Sequence, residues 1–320
     1  MAERKTPRNC DVVVLGGGIA GASLASELAR SYRVSLLERE SHFGYHATGR
    51  SAAVLVRCYE SEPVRALTRA SLAMINEEVA TGKNSHIARR RGHLIFGCEG
   101  NRERFEAECR REAGVRLLSS REAISEVPVL SPQAAEVALY DPAALDLDAE
   151  ALMRFYLRRA RERGAVIESG VEVTALTRQA GSWYVEAGDA RIRCDAIANA
   201  AGAWADDVAA MAGADPLALQ ALLRTAAVVG VTSEIDFGEW PVVSSADEQF
   251  YFKPDAGLLM ISPADETPCA PGDVWADDFI VAQCVDKLER ATSLRVRTLK
   301  QSWAGIRSFA ADRLPVVGYD

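Results

Sequence analysis

Apolar positions along the chain follow two periods, and stretches of each kind alternate. Val12-Val13-Val14-Leu15 is an unbroken run of largely β-branched type, the pattern of a strand buried on both faces. Ala22 to Arg30 is rich in helix formers and ends on a base, which predicts a helix, and Arg33 to Leu37 predicts a second strand. Helical spacing returns over 62–79, where Val64, Leu67, Leu72, Met74 and Ile75 recur, over the charged stretch 101–114, and over 149–163, which Asp148 can cap. Leu94-Ile95-Phe96 is strand-like, and Ala123 to Val127 reads as a helical turn.

The second half begins with a return to a parallel α/β rhythm. Ala165 to Glu168 and Val171 to Leu176 read as strands, Ser182 to Glu186 and Arg191 to Cys194 as a hairpin, and Ala196 to Trp204 as a buried strand followed by helix 205–213. Strand patterns at 226–232, 241–244, 250–253 and 258–262, a Pro/Asp/Gly-rich loop over 263–277, a helix over 279–292 and a polar strand over 294–301 complete the chain. Pro128, Pro132 and Pro142 place a domain crossing near 140–148. No internal repeat is present.

The link between the first two strands carries the chemistry. Gly16-Gly17-Gly18-Ile19-Ala20-Gly21 fits G-x-G-x-x-G directly after a strand and before a helix. Gly16 permits the tight turn, Gly18 lets a pyrophosphate approach the backbone, and Gly21 lets helix and strand pack closely. The helix's first N–H groups then face phosphate. Glu38 ends the second strand seventeen residues beyond Gly21, near the offset of a carboxylate that binds ribose hydroxyls. An acid there disfavours a 2′-phosphate, so FAD or NAD is preferred to NADP. Downstream, Gly44 to Ala53 is rich in Gly, Thr, Ser and small residues, which suits a loop lying against a flat or charged ligand.

Composition narrows the classes. A chain of 320 residues with 48% hydrophobic and 26% charged residues is long enough for about two globular domains. A formal net charge of −8 offers no nucleic-acid footprint. Arg89-Arg90-Arg91 reads as a solvated loop, and Arg158, Arg159, Arg161 and Arg163 as a wet helix face. Residues 1–9 are polar and expected to fray, no apolar stretch is long enough to span a bilayer, and no signal-peptide core is present, so a cytoplasmic protein is expected. Seven cysteines without C-x-x-C read as reduced thiols, and the four histidines show no zinc-ligand spacing, so no metal is expected.

With these motifs the sequence resembles the D-amino-acid oxidase superfamily of FAD enzymes over about residues 10–320. Gly16 to Gly21 with Glu38 is similar to its cofactor fingerprint, Gly44 to Ala53 to its second flavin segment, and Asn199 to Trp204 to its strand-end motif beside the cofactor. Phe250 to Pro254 and Trp303 to Ser308 resemble its substrate-domain and late motifs. Among members, these strings most resemble the bacterial D-arginine dehydrogenase type, a broad-specificity D-amino-acid dehydrogenase. The resemblance implies a Rossmann-like FAD-binding domain (1–57, 146–223, 301–320) interleaved with an antiparallel-sheet substrate domain (58–145, 224–300), hence an α/β fold with an α+β substrate part. It implies Gly16, Gly18, Gly21, Glu38, Arg39, Thr48, Arg50, Ser51, Ala52, Val173, Ala201, Gly202 and Trp204 as FAD-binding residues.

The implied reaction is oxidative deamination of a D-amino acid: hydride leaves Cα for flavin N5, and water hydrolyses the resulting imine to a 2-oxo acid and ammonia. Arg307 matches the carboxylate clamp, Arg224 a second substrate-pocket arginine, Tyr251 a hydroxyl that reaches the carboxylate, and His46 a histidine beside flavin and amine. Arg224 can equally be a surface arginine at a strand start, and Tyr251 a packing residue. Two departures stand out. His93, with arginines around it, occupies the place of an acid that pairs with a cationic substrate, so a neutral D-amino acid is expected. The chain also stops at Asp320, where members continue into a segment pointing at the flavin, so weak flavin binding and low turnover are expected.

Competing readings remain open. The same fold can oxidise sarcosine, glycine, proline or another secondary amine, and a non-catalytic dinucleotide sensor or truncated remnant is the alternative of a different class. Oxygen or a quinone can be the electron acceptor. Flavin attachment is expected to be noncovalent, with Cys58 and Cys98 as the thiols to consider.

Overall fold

The computed structural model of the chain describes residues 9–58, 61–232 and 236–319; the polar start, residues 1–8, lies outside them. The backbone divides into two compact units. One comprises Met1–Ser51, Asp148–Ala221 and Ile306–Asp320, the other Ala52–Leu147 and Leu222–Gly305.

In the first unit, a four-stranded parallel sheet runs in the order Ala196–Asn199, Val12–Leu15, Val34–Glu38, Val166–Ser169. Val13, Val14 and Leu36 are fully buried, as unbroken apolar runs demand in a parallel sheet. Helix Ile19–Leu28 buries Ala22 and Ala25, small enough for helix Ala149–Glu162 to lie close against it. Asp148 caps that second helix by accepting from Ala151 N at 2.8 Å. Its arginines divide, which corrects the wet-face expectation. Arg158 and Arg161 are exposed, but Arg163 donates to Ser26 O at 2.6 Å and lies 3.5 Å from Glu27.

Two further expectations for this unit change. Val173–Gln179 does not continue the parallel rhythm; it forms an antiparallel meander with Ser182–Ala187 and Ala190–Cys194. The cause is the connection. Only Ala180 and Gly181 separate the first two strands, both at positive φ (48° and 83°), and such a tight turn joins antiparallel neighbours only. The strand expected to reach Trp204 stops at Asn199 and is partly exposed. There Gly202 takes φ 56°, and Asn199 holds the turn by accepting from Ala201 N at 3.2 Å and donating to Ala205 O at 2.8 Å.

The second unit is built on an eight-stranded sheet in the order Arg295–Phe309, Gln220–Thr232, Leu258–Ser262, Tyr251–Asp255, Val242–Ser245, His93–Gly97, Val137–Asp141, Arg116–Ser119. It is not wholly antiparallel: Val242–Ser245 runs parallel to His93–Gly97. Those two strands come from distant stretches of chain, so no hairpin dictates their relative direction. One face packs Leu94, Phe96, Val243, Phe252, Leu259 and Ile261 with Val281, Cys284 and Leu288 of helix Asp278–Ala291. On the opposite face Ile95, Val137 and Leu139 pack with Phe105, and Ala226, Val228 and Met260 pack with Tyr251 and Trp303.

The arginine cluster at 89–91 is not a loop. Arg89 and Arg90 lie on strand Ala88–Arg90, paired with Leu145–Leu147, while Arg91 is buried. Its guanidinium donates to Asp146 at 3.1 Å and to the Gly238 and Trp240 carbonyls at 2.7 and 3.0 Å. Nearby in the same unit, buried Arg57 grips Asp141 through two bonds of 3.0 and 2.5 Å, and buried Arg65 grips Glu108 at 2.7 and 3.0 Å.

Candidate active site

In the first unit three loops meet around the start of helix Ile19–Leu28. The glycine turn is held by Gly16 N donating to Leu37 O at 2.9 Å, with Gly16 at φ 107°. A Cβ on Gly21 would stand 1.8 Å from Gly16 O, so only glycine allows the helix to leave the strand this closely. Gly18 is the N-cap and offers no side chain, which leaves the first turn open to a phosphate.

Glu38 folds over this turn. One carboxylate oxygen accepts from Gly17 N at 2.6 Å and the other from Glu40 N at 2.7 Å. The two bonds fix its direction, and each oxygen keeps a lone pair for a ribose hydroxyl. The segment 44–50 forms the second side of the site. Gly44 N donates to Gly17 O at 3.1 Å, and Thr48 Oγ1 accepts from Ile19 N at 3.0 Å, so Thr48 sits on the helix N-terminus itself.

The strand-end motif forms the third side. Ala200 N donates to Leu15 O at 2.8 Å, bringing Ala201, Gly202 and Trp204 beside the glycine turn. Trp204 lies between the Arg39 guanidinium and the His46 ring, each 4.5 Å from its ring centre. Glu40 joins those two flanks: its carboxylate is 3.1 Å from Arg39 and 3.0 Å from His46 Nε2. The His46 hydrogen bond, with help from Arg39 and against partial burial, holds the Glu40 carboxyl below its ordinary value. Arg50 stacks on Tyr45 at 5.2 Å, and Val173 follows the segment whose Val171 N donates to Glu38 O at 2.9 Å. Ser51 N reaches Thr48 O at 3.4 Å. Ala52 belongs to the other unit, packed against the cluster of Ala226, Val228 and Met260. These donors and this glycine cradle fit the pyrophosphate and ribose of FAD: Gly16 to Gly21, Glu38 and Thr48 would hold it.

The four substrate candidates fall in different surroundings. Arg307, in the first unit, is exposed with its guanidinium 5.1 Å over Phe309, and among the described residues no carboxylate pairs with it. Arg224, in the second unit, is partly buried and reaches Glu266 at 2.9 Å, so the partner that an arginine in an apolar stretch needs is on its own unit. Tyr251 packs beside Ala226, Val228 and Met260. Cys58 is held as a neutral thiol, with burial as the first cause and Asp141 and Glu108 adding to it, pushed up to about 12.

His93 departs from the expectation of a repelling cation. It is buried, its Nε2 is 2.8 Å from Ser244 Oγ, and burial lowers it to about 4 against the pull of Asp141, so it is neutral at pH 7. Two residues had no sequence signal beyond position: Glu40, which follows Glu38 as one more acid, and Ser244, one serine among several on strands.

A family model described as DAO, FAD dependent oxidoreductase, matches residues 11–320. The chain belongs to this family, and FAD is its cofactor. The human mitochondrial dimethylglycine dehydrogenase is 26% identical over 272 residues, covering 82% of this chain but only 31% of its own length. Glycine oxidase of Geobacillus kaustophilus is 25% identical over 327 residues, covering 96% of this chain and 84% of its own. The crystal structure of that oxidase and that of L-proline dehydrogenase from P. horikoshii each superpose with a TM-score of 0.83 at 21% identity, over 98% of this chain and 86% of theirs. These structures share the fold. Among the described residues no helix is long and apolar enough to cross a membrane.

Proposed function

We propose that the chain oxidises a small α-amino acid or N-alkylated α-amino acid at the carbon that bears nitrogen, with glycine, sarcosine and proline-type amines the preferred class. Glycine oxidase and dimethylglycine dehydrogenase among the relatives support that class over D-amino acids in general. Bound FAD supplies the two-electron acceptor for the hydride that leaves this carbon. The substrate amine must be neutral for its lone pair to stabilise the carbon as hydride departs. The product is an imine, and water converts it to the oxo acid and the free amine or ammonia.

Every substrate in this class carries a carboxylate, and the observation that carries the reading is Arg307. Its donors lack a carboxylate partner among the described residues, whereas Arg224 already holds Glu266. A guanidinium in this state can take a substrate carboxylate through two parallel bonds. Tyr251 and Arg224 offer further donors on the second unit, and His46, oriented by Glu40, is placed to hold the amine. Arg307→Lys, which keeps charge but loses the fork, should raise KM on the order of 10- to 100-fold. An unchanged KM would assign the carboxylate elsewhere. D-Amino-acid deamination is the second reading, supported by the motif strings around His46, Arg224, Tyr251 and Arg307. Initial rates on glycine, sarcosine, proline and a set of D-amino acids separate the two.

A further inference from the structure

One face of the eight-stranded sheet carries a hydroxyl that neither the cofactor site nor the carboxylate anchors use. Ser244 stands directly opposite Tyr251 in the antiparallel register, so the two side chains leave the sheet on the same face with their Cβ atoms about 5 Å apart. Ser244 is partly exposed. Behind it, His93 is buried with Nε2 2.8 Å from Ser244 Oγ. His93 Nδ1 is buried and has no hydrogen-bond partner. Asp141, opposite His93 in register, cannot serve it, because its oxygens are taken by Arg57 and by Ala143 N.

That arrangement fixes the direction of the hydrogen bond. A buried unpaired N–H costs more than a buried unpaired lone pair, so the imidazole proton belongs on Nε2, with the bare lone pair on Nδ1. Nε2–H then donates to Ser244 Oγ, and the serine hydroxyl proton is left to donate outward. Among the described residues no other side chain takes it. The carboxylates nearby are already occupied. Asp141 is gripped by Arg57, and Asp146 is shared by Lys253, Arg91 and Arg89, with Lys253 two residues along the strand from Tyr251 and hence on its face. This face therefore presents a hydroxyl donor and a surplus of positive charge, with no free carboxylate for a cationic group.

We propose that Ser244, held by His93, is a specificity-determining residue that donates to an acceptor atom on the substrate's side chain, so that hydroxyl- or amide-bearing amino acids are preferred to apolar isosteres and cationic ones are rejected. The inference rests on the amino-acid-oxidising reading above. Isosteric pairs isolate the hydrogen bond: D-threonine against D-valine, and D-asparagine against D-leucine, with glycine as the substrate that lacks a side chain.

The FAD-loaded enzyme should show kcat/KM about tenfold higher for the polar member of each pair, through KM, and poor turnover of D-lysine and D-arginine. Ser244→Ala should erase the ratio while leaving glycine unchanged, a pattern that general loss of structure would not produce. Nitrogen-15 spectra of the histidines, with His93→Gln for assignment, should place the His93 proton on Nε2. Should that variant fail to fold, the Ser244→Ala ratios decide alone. Equal rates within each pair, a ratio that survives Ser244→Ala, or a proton on Nδ1 would overturn the proposal. Failure of glycine and of every other amino acid to reduce the flavin would instead overturn the reading it rests on.

Discussion

His93 shows how far a residue's surroundings set its chemistry. Burial lowers it to about 4, below the ordinary 6.5, and Asp141 only partly opposes this. Between those two values the unfolded chain binds a proton that the folded chain refuses, so stability rises with pH through that window and falls on acidification. From pH 7 to pH 5 the loss should be about 2 kcal/mol. Urea unfolding at the two pH values measures it, and His93→Gln should remove this component; an equal decline in the variant would mean His93 is not its source. Asp141→Asn should cost on the order of 3–5 kcal/mol in the same assay, because it strands the buried Arg57 charge. Such pairings could not be read from the sequence. Arg91 looked solvated between two other arginines, yet its acceptors are Asp146, Gly238 and Trp240, all far along the chain. Arg224 was read as needing a partner or a role, but Glu266 lies in a loop with no marking motif.

At the scale of elements, the cofactor side was legible because its constraints are local. Strand, glycine turn, helix and acid follow one another within Val12 to Glu38, and each glycine answers a contact its neighbours create. Gly21→Ala places a methyl 1.8 Å from Gly16 O, so the helix must move off the strand. The variant should lose FAD and melt several degrees lower. Gly18→Ala meets only Thr48 Oγ1, at 3.2 Å, and should keep its fold while binding FAD more weakly. Absorbance of the bound flavin and thermal melting distinguish them; equal behaviour would mean the close packing at Gly21 is not what holds the site. Pairing direction was less legible than the strands themselves. Two residues at positive φ turned the 173–179 strand antiparallel, and the parallel pair of 93–97 with 242–245 joins stretches no local pattern connects.

At the scale of the molecule, one unit holds a dinucleotide cradle and the other a broad sheet bearing Tyr251, Ser244 and a well-neutralised set of buried charges. The family assignment and the cradle agree on FAD, and the relatives turn the substrate reading from D-amino acids toward small amines. The most direct test of the account is the visible spectrum of the FAD-loaded chain before and after anaerobic addition of glycine, sarcosine, proline and D-amino acids in turn. Bleaching of the flavin band by at least one of them, fastest with a small amino acid, is the predicted result. A flavin spectrum that no amino acid changes would contradict it.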